Sequence, residues 1–181
     1  MHSVPLPAPR VAGRDDIPAL EALIRLSARA LSQGHYEEVQ IDAAITYVFG
    51  VDSELVADRT YLMIEEAGVP IGCGGWSRRR TLFGGDRFGG RDDAMLDPSR
   101  DAARIRAFFV HPDHARRGVG AALLAASEAA AIAAGFGALE LMSTLPGVAF
   151  YRRAGFVPGE QILHRAGGVA IPFVPMRKRI G

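Results

Sequence analysis

Lysine is nearly missing from this chain. Of its 21 Lys and Arg residues only Lys178 is lysine, so positive charge rests on guanidinium groups, which suit phosphate and carboxylate recognition. A compositional bias of the genome produces the same pattern. Cysteine is down to one residue, Cys73, which excludes an intramolecular disulfide framework, and no Cys/His cluster has the spacing of a closed zinc site. A reducing, cytoplasmic setting without a bound metal is the expectation. A charge excess is missing too: a net charge of +1 and a pI near 8.0 set nucleic acid aside as the default partner. No apolar run approaches the ~20 residues of a bilayer span. The leading MHSVPLPAPR also lacks the apolar core of a secretory signal, so no membrane association is expected.

What is present is 181 residues of 49% hydrophobic composition, enough to bury a continuous core, and one domain over 1–181 is expected. After a proline-rich lead and a short strand, Asp15 and Asp16 can cap a helix with Pro18 in its first turn and Leu20, Leu23, Ile24, Ser27 and Leu31 on its apolar stripe. Gln33, Gly34 and His35 interrupt it, and a second amphipathic pattern places Ile41, Ala44, Ile45, Val48 and Phe49 on one face. TYLMIEE and VPIGCGGW then predict an antiparallel hairpin turning at Ala67 and Gly68. The stretch 77–103 is rich in Gly, Arg and Asp and reads as a long excursion between strands. ARIRAFFVHP predicts a strand, stopped by Pro112, and an alanine-rich helix runs from Gly118 to about Ala134. ALELMST is the next strand, so this region is a β-loop-α-β unit. A short helix with Pro146 near its start ends at Gly155, and two last strands flank Gly167 and Gly168.

The loop HARRGVGA, His114 to Ala121, joins a strand end, two glycines and a helix start. Several amide N–H groups can converge there, where the helix dipole also favours an anion, and Arg116 and Arg117 add charge-assisted donors. A helix start with a glycine hinge produces the same spacing, so the glycines alone do not select a ligand. The loop has neither the GxGxxG dinucleotide fingerprint nor the Lys-Ser/Thr pair of a P-loop, which leaves nucleotide binding as a weaker class.

FFVHPDHARRGVGAALL followed by STLPGVAFYRRAGF resembles the GCN5-related N-acetyltransferase (GNAT) family. The likeness is strongest over about 103–158. It implies an α/β fold of the α+β type: a mixed, mostly antiparallel twisted sheet flanked by helices, with a parallel strand pair at the cofactor site. It also implies acetyl-CoA as cosubstrate, held by Phe109, Val110, Arg116, Arg117, Gly118, Val119, Gly120, Ala121, Thr144, Phe150 and Tyr151. The implied reaction is direct attack of an amine, from a small molecule or a peptide, on the thioester, and a homodimer is a common assembly in similar proteins. Two positions depart from the family pattern: its first Gln or Arg is Ala115, and the usual Asn and Ala before the Phe-Tyr pair are Leu145 and Val148. The grip on the pyrophosphate is therefore expected from the backbone of 116–121.

By the same resemblance, a backbone N–H near Val110 can donate to the thioester carbonyl, and Tyr151 falls on the tyrosine assigned as acid to the departing thiolate. A phenol near ~10 is a weaker acid than a thiol near ~8.5, so full proton transfer is uphill by roughly 2 kcal/mol and a hydrogen bond to the thiolate is the firmer role. Phe150 and Tyr151 also suit plain aromatic packing on a short helix. Tyr36, beside Glu37 and Glu38, borders the acceptor region in similar proteins. Trp76 either walls a substrate pocket or covers the core edge.

For the general base, Asp52, Glu54, Glu140 and a water relay stay open. Cys73 suits packing better than nucleophilic chemistry, and His111 and His114 lack a third metal ligand. The excursion suits an internally paired, solvated loop better than a binding surface. A non-catalytic acyl-CoA sensor or interaction domain of the same fold is the alternative to an enzyme.

Overall fold

A computed structural model describes residues 5–181. The helix capped near Asp16 is α1 (Ile17–Ser32), with Leu20, Leu23, Ile24, Ser27 and Ala28 buried at helical spacing. Leu31, expected on the same stripe, is instead 36% exposed at its edge. Asp16 occupies the N-cap, yet its carboxylate caps nothing in α1. It turns back to accept from the Gly13 N–H (2.7 Å) and to pair with Arg10 (2.8 Å), a residue of strand β1 (Arg10–Val11).

Helix α2 (Glu38–Tyr47) stops two residues short of the expected apolar pattern, and the N–H groups of Val48 and Phe49 both close onto Ala44 O. A five-residue helix α3 (Ser53–Ala57) lay hidden in the sequence, which carries too short a pattern for a period to show. Asp52 caps it by accepting from the Leu55 N–H at 3.3 Å.

Strands β2 (Tyr61–Glu66) and β3 (Val69–Ser77) form the expected hairpin. Then come β4 (Ala103–Val110), α4 (Val119–Ala133), β5 (Ala138–Ser143) and α5 (Val148–Arg153). The chain closes with β6 (Val157–Pro158), β7 (Ile162–Ala166) and β8 (Val169–Arg179). The sheet order is β1-β2-β3-β4-β5-β8-β6, with β7 paired to β8; every pairing is antiparallel except β4–β5. The result is a single mixed α/β domain. Among the described residues no helix is long and apolar enough to cross a membrane.

The sheet separates two cores. On one face α4 and α5 cover Ile105, Leu139, Leu141, Val174 and Met176, while Val119 and Leu123 of α4 meet Ile64 and Ile71. On the other, α1 and α3 pack on Met63 and Cys73, and α2 packs on Ile171 and Phe173. Gly72 sets how closely α4 approaches, because a Cβ there would run into Val119 and Leu123.

Candidate active site

Two features of β4 open the sheet. It pairs with β5 only at Ala103–Leu139 and Arg104–Glu140, after which the two strands separate. Its register to β3 also slips between Cys73 and Gly75, and Ala107 takes a left-handed backbone (φ 57°) that costs a non-glycine residue about 1–2 kcal/mol. The Tyr61 hydroxyl fixes this bulge by donating to Ala107 O at 3.1 Å, from a fully buried position beside Cys73. After the bulge, Phe108 and Val110 point to the α4 face, while Ala107 and Phe109 point to the α1 face. A cleft of about 1180 Å³ runs through the gap from one face to the other.

At the α4 mouth the loop turns through Arg116 (φ 63°) and Gly118 (φ 90°) into the first turn of α4. The N–H groups of Arg116, Gly118, Val119, Gly120 and Ala121 donate to no described partner, so they are free for an anion. His114 braces the loop through Nε2, 3.1 Å from Glu66 Oε2, and the His111 ring accepts from the Asp113 N–H. Both histidines are thus loop braces.

Of the residues expected around the cofactor, Phe109, Val110, Arg116, Gly118, Gly120, Ala121, Thr144, Phe150 and Tyr151 line the cleft. The Val119 side chain faces the core instead, at 1% exposure, which leaves its N–H as the available group. Arg117 stands outside the lining. The Val110 N–H donates to Ser27 Oγ of α1 at 3.2 Å, so α1 supplies a hydroxyl at the point where a backbone donor was expected.

Tyr151 is buried between Phe108, Phe150 and Phe156, at ring separations of 6.5, 4.9 and 5.6 Å. Burial pushes its phenol well above the ordinary value, so it stays protonated and can donate, while transfer of its proton becomes harder.

Neither residue expected to touch the acceptor lines the cleft. Trp76 is buried against Phe136 with Arg78 over its ring, which places it at the core edge. The Tyr36 hydroxyl donates to Pro172 O (2.8 Å) and accepts from the Leu145 N–H (2.9 Å); burial pushes it up to about 12. Tyr36 thereby fastens the α1–α2 junction to β8 and brings its neighbour His35 to the cleft.

The three candidate bases are all engaged. Asp52 pairs with Arg106 and with Arg91 (3.0 Å), Glu54 with Arg91 (3.1 Å), and Glu140 with Arg104 and with Arg177 (2.6 Å). Asp52 and Arg106 are fully buried, and burial lowers the Arg106 guanidinium from its ordinary value, with Arg91 adding to the effect and the carboxylates opposing it. The Cys73 thiol is likewise pushed up to about 12 by burial and is unfit as a nucleophile.

These ion pairs anchor the excursion. Arg79 holds Asp58 at 2.7 Å and Arg87 holds Glu21 at 3.0 Å. Arg106 Nη2 donates to Gly84 O (2.7 Å), and the Gly85 N–H donates to Val48 O (2.8 Å). Residues 82–85 therefore wall the α1 mouth together with Phe49, Phe109, Met142 and Phe173. Sequence reading missed this wall, for Phe83 and Phe88 sit in a segment without periodicity. Ser27 carried a signal, as a polar residue in the apolar stripe of α1.

No curated protein matches the sequence. Solved structures share the fold. A GCN5-related N-acetyltransferase from Rhodopseudomonas palustris is 24% identical with a TM-score of 0.72, covering 99% of this chain and 100% of its own. The PaiA N-acetyltransferase from Thermoplasma acidophilum, in complex with coenzyme A, is 16% identical with a TM-score of 0.64, covering 95% and 98%. YncA from Salmonella typhimurium, with its cofactor acetyl-CoA, is 18% identical with a TM-score of 0.59, covering 96% and 94%. The sequence model described as the acetyltransferase (GNAT) family matches residues 20–156, most of the chain and all of the cleft-forming β4-loop-α4-β5-α5 unit. By that match the protein belongs to the acetyltransferase (GNAT) family.

Proposed function

We propose that the protein is an N-acetyltransferase that moves an acetyl group from acetyl-CoA directly to an amine. The observation that carries this is the cleft through the sheet, with the free amides of Arg116 and of Gly118 to Ala121 at one mouth and a second mouth on the opposite face. Two reactants can meet in it from opposite sides. Coenzyme A in PaiA and acetyl-CoA in YncA support the same ligand here.

The fit to this cosubstrate is chemical as well as spatial, since unpaired N–H groups at a helix start match a pyrophosphate and the splayed strands leave β4 backbone exposed to a pantetheine arm. When bound, the thioester supplies an activated acetyl carbon: the amine lone pair forms the C–N bond, the C–S bond breaks with its electron pair on sulfur, and the amine loses one proton. The loop 116–121 binds the phosphates, and Phe109 and Val110 orient the arm. The Ser27 hydroxyl, which accepts from the Val110 N–H, supplies a polar donor at the split, and Tyr151 holds a proton for the departing sulfur. With Asp52, Glu54 and Glu140 consumed in ion pairs, the amine proton passes to water. A cytoplasmic, homodimeric state belongs to the same proposal.

The test is acetyl-CoA titration followed by turnover. At 100-fold over Kd the ligand stabilises the fold by ~2.7 kcal/mol, a rise of about 5–10 °C in Tm for a chain of this size. Thiol release with an amine panel then reports transfer. No shift with folded protein removes the cofactor assignment, and a shift without turnover assigns a sensor.

A further inference from the structure

The two mouths of the cleft differ in chemistry, and the acceptor mouth narrows the substrate class. On the α1 face Phe109, Phe49, Phe173 and Phe83 form a continuous chain of rings, with centroid separations of 5.5, 6.4 and 5.6 Å in that order. His164 stacks edge-on behind Phe83 at 5.2 Å and fixes its position. Leu31 and Met142 extend the apolar wall.

Charge is scarce at this mouth. Among the described lining residues the only carboxylate is Glu128, which lies on α4 at the opposite face and is paired with Lys178 at 2.6 Å. A polycation would find no anionic partner for its additional ammonium groups. The guanidinium of the α1 mouth is equally unavailable to a substrate carboxylate: Arg106 is neutralised by Asp52 and bound to Gly84 O. A substrate carboxylate would be desolvated there without a free cation.

We propose that the acceptor is a primary amine on an uncharged aromatic body, of the arylalkylamine type, with the ring seated among Phe49, Phe83, Phe109 and Phe173. This rests on the acetyltransferase reading above. The net step is R–NH2 plus acetyl-CoA giving R–NH–CO–CH3 plus free coenzyme A thiol.

The full chain is assayed by thiol release with phenethylamine, spermidine, phenylalanine and propylamine, and in parallel each amine is added to the coenzyme A-bound protein and Tm is read. Phenethylamine is expected to exceed spermidine and propylamine in kcat/KM by about 30-fold or more, the return on burying one aromatic ring, to exceed phenylalanine because the carboxylate of the latter would be desolvated without a partner, and to be the amine that raises Tm. Phe83→Ala, with Phe83→Leu as the milder variant should the first fail to fold, is expected to shrink the phenethylamine-to-spermidine ratio at least tenfold. Turnover led by spermidine or phenylalanine overturns the acceptor class while leaving the acetyltransferase reading intact. Cofactor binding without turnover of any amine, and without a Tm response to phenethylamine, overturns both. A Tm response to phenethylamine without turnover keeps the aromatic-amine site and overturns the enzyme alone.

Discussion

Replacing Gly120 by valine tests the donor half of the cleft with little disturbance elsewhere. A Cβ built at Gly120 lies 3.3 and 3.4 Å from two ring carbons of Phe150 and 3.8 Å from Val110 Cγ2, so it points into the gap between α5 and β4. Gly120 does not have a positive φ, and it sits in the first turn of α4, where valine is a few tenths of a kcal/mol better than glycine. The fold should therefore survive with Tm changed by no more than about 3 °C. Two methyl groups beyond the Cβ then occupy the path of the cofactor arm and hold the phosphates away from the loop amides. A hydrogen bond to a charged group is worth about 1.5–3 kcal/mol. Losing one or two of them raises Kd for coenzyme A roughly 30- to 1000-fold. Isothermal titration with coenzyme A measures this directly, and Gly120→Ala, with only the tight Phe150 contact to relieve, should fall between the two. A folded valine variant with Kd within threefold of the parent would refute the placement of the cofactor between Gly120 and Val110.

Three further outcomes follow from the same geometry. Tyr151→Phe keeps the ring packing and removes the proton held by the buried phenol; kcat should drop about 10- to 100-fold, as for one hydrogen bond to a charged group, with KM for acetyl-CoA within threefold, and unchanged kcat in steady-state assays would remove the role. Asp52→Asn leaves the buried Arg106 short of its main partner, at ~3–5 kcal/mol, or on the order of 10 °C in Tm by calorimetry; pairing Asp52→Leu with Arg106→Met should recover more than half, and additive losses would refute a coupled ion pair. Asp16 is held down at about 2 by Arg10 and the Gly13 N–H, against an ordinary 3.8, so its stabilisation is complete above about pH 4 and lost as pH falls toward 2. In thermal melts the advantage of the parent over Asp16→Asn should shrink across that window, and a constant gap would show the pair to be inert.

The donor side of the cleft was legible because its chemistry is tied to chain order. A strand, a glycine-bearing turn and a helix start are consecutive in 103–121, and periodicity and glycine placement report such a unit locally. The amides that a backbone grip would need, given Ala115, lie in the same local unit: the N–H groups of Arg116 and of Gly118 to Ala121 donate to no described partner. The acceptor side assembles residues from Leu31, Phe49, Phe83 and Phe173, far apart in sequence and held by ion pairs between unlike segments. Charge composition showed that 77–103 could pair internally, but not that its partners would be Glu21, Asp52 and Glu54 across the fold. Trp76 and Tyr36 misled for the opposite reason: large aromatic residues near a cleft are as readily spent on the core edge, or on a pair of backbone hydrogen bonds, as on a ligand.

The split between the proposed donor site, built locally, and the proposed acceptor site, built from distant segments, bears on how specificity can change. The excursion contributes Leu82, Phe83, Gly84 and Gly85 to the proposed acceptor wall, and its anchors Arg79, Arg87 and Arg91 hold carboxylates on α1, at the N-cap of α3, on α3 and just after it, and at Asp86 of the excursion itself, none of them in the loop 116–121. On this proposal, substitution at Phe83 reshapes the acceptor mouth while the loop 116–121 keeps its geometry, and effects at the two sites should add. The exception is β4 itself. Phe109 faces the acceptor wall, Val110 faces the donor side, and the Ala107 bulge fixed by Tyr61 sets the direction of both. Tyr61→Phe, which frees the Ala107 carbonyl, should therefore weaken cofactor and acceptor binding together, and a variant impaired in only one of the two would separate the bulge from the alignment of the two sites.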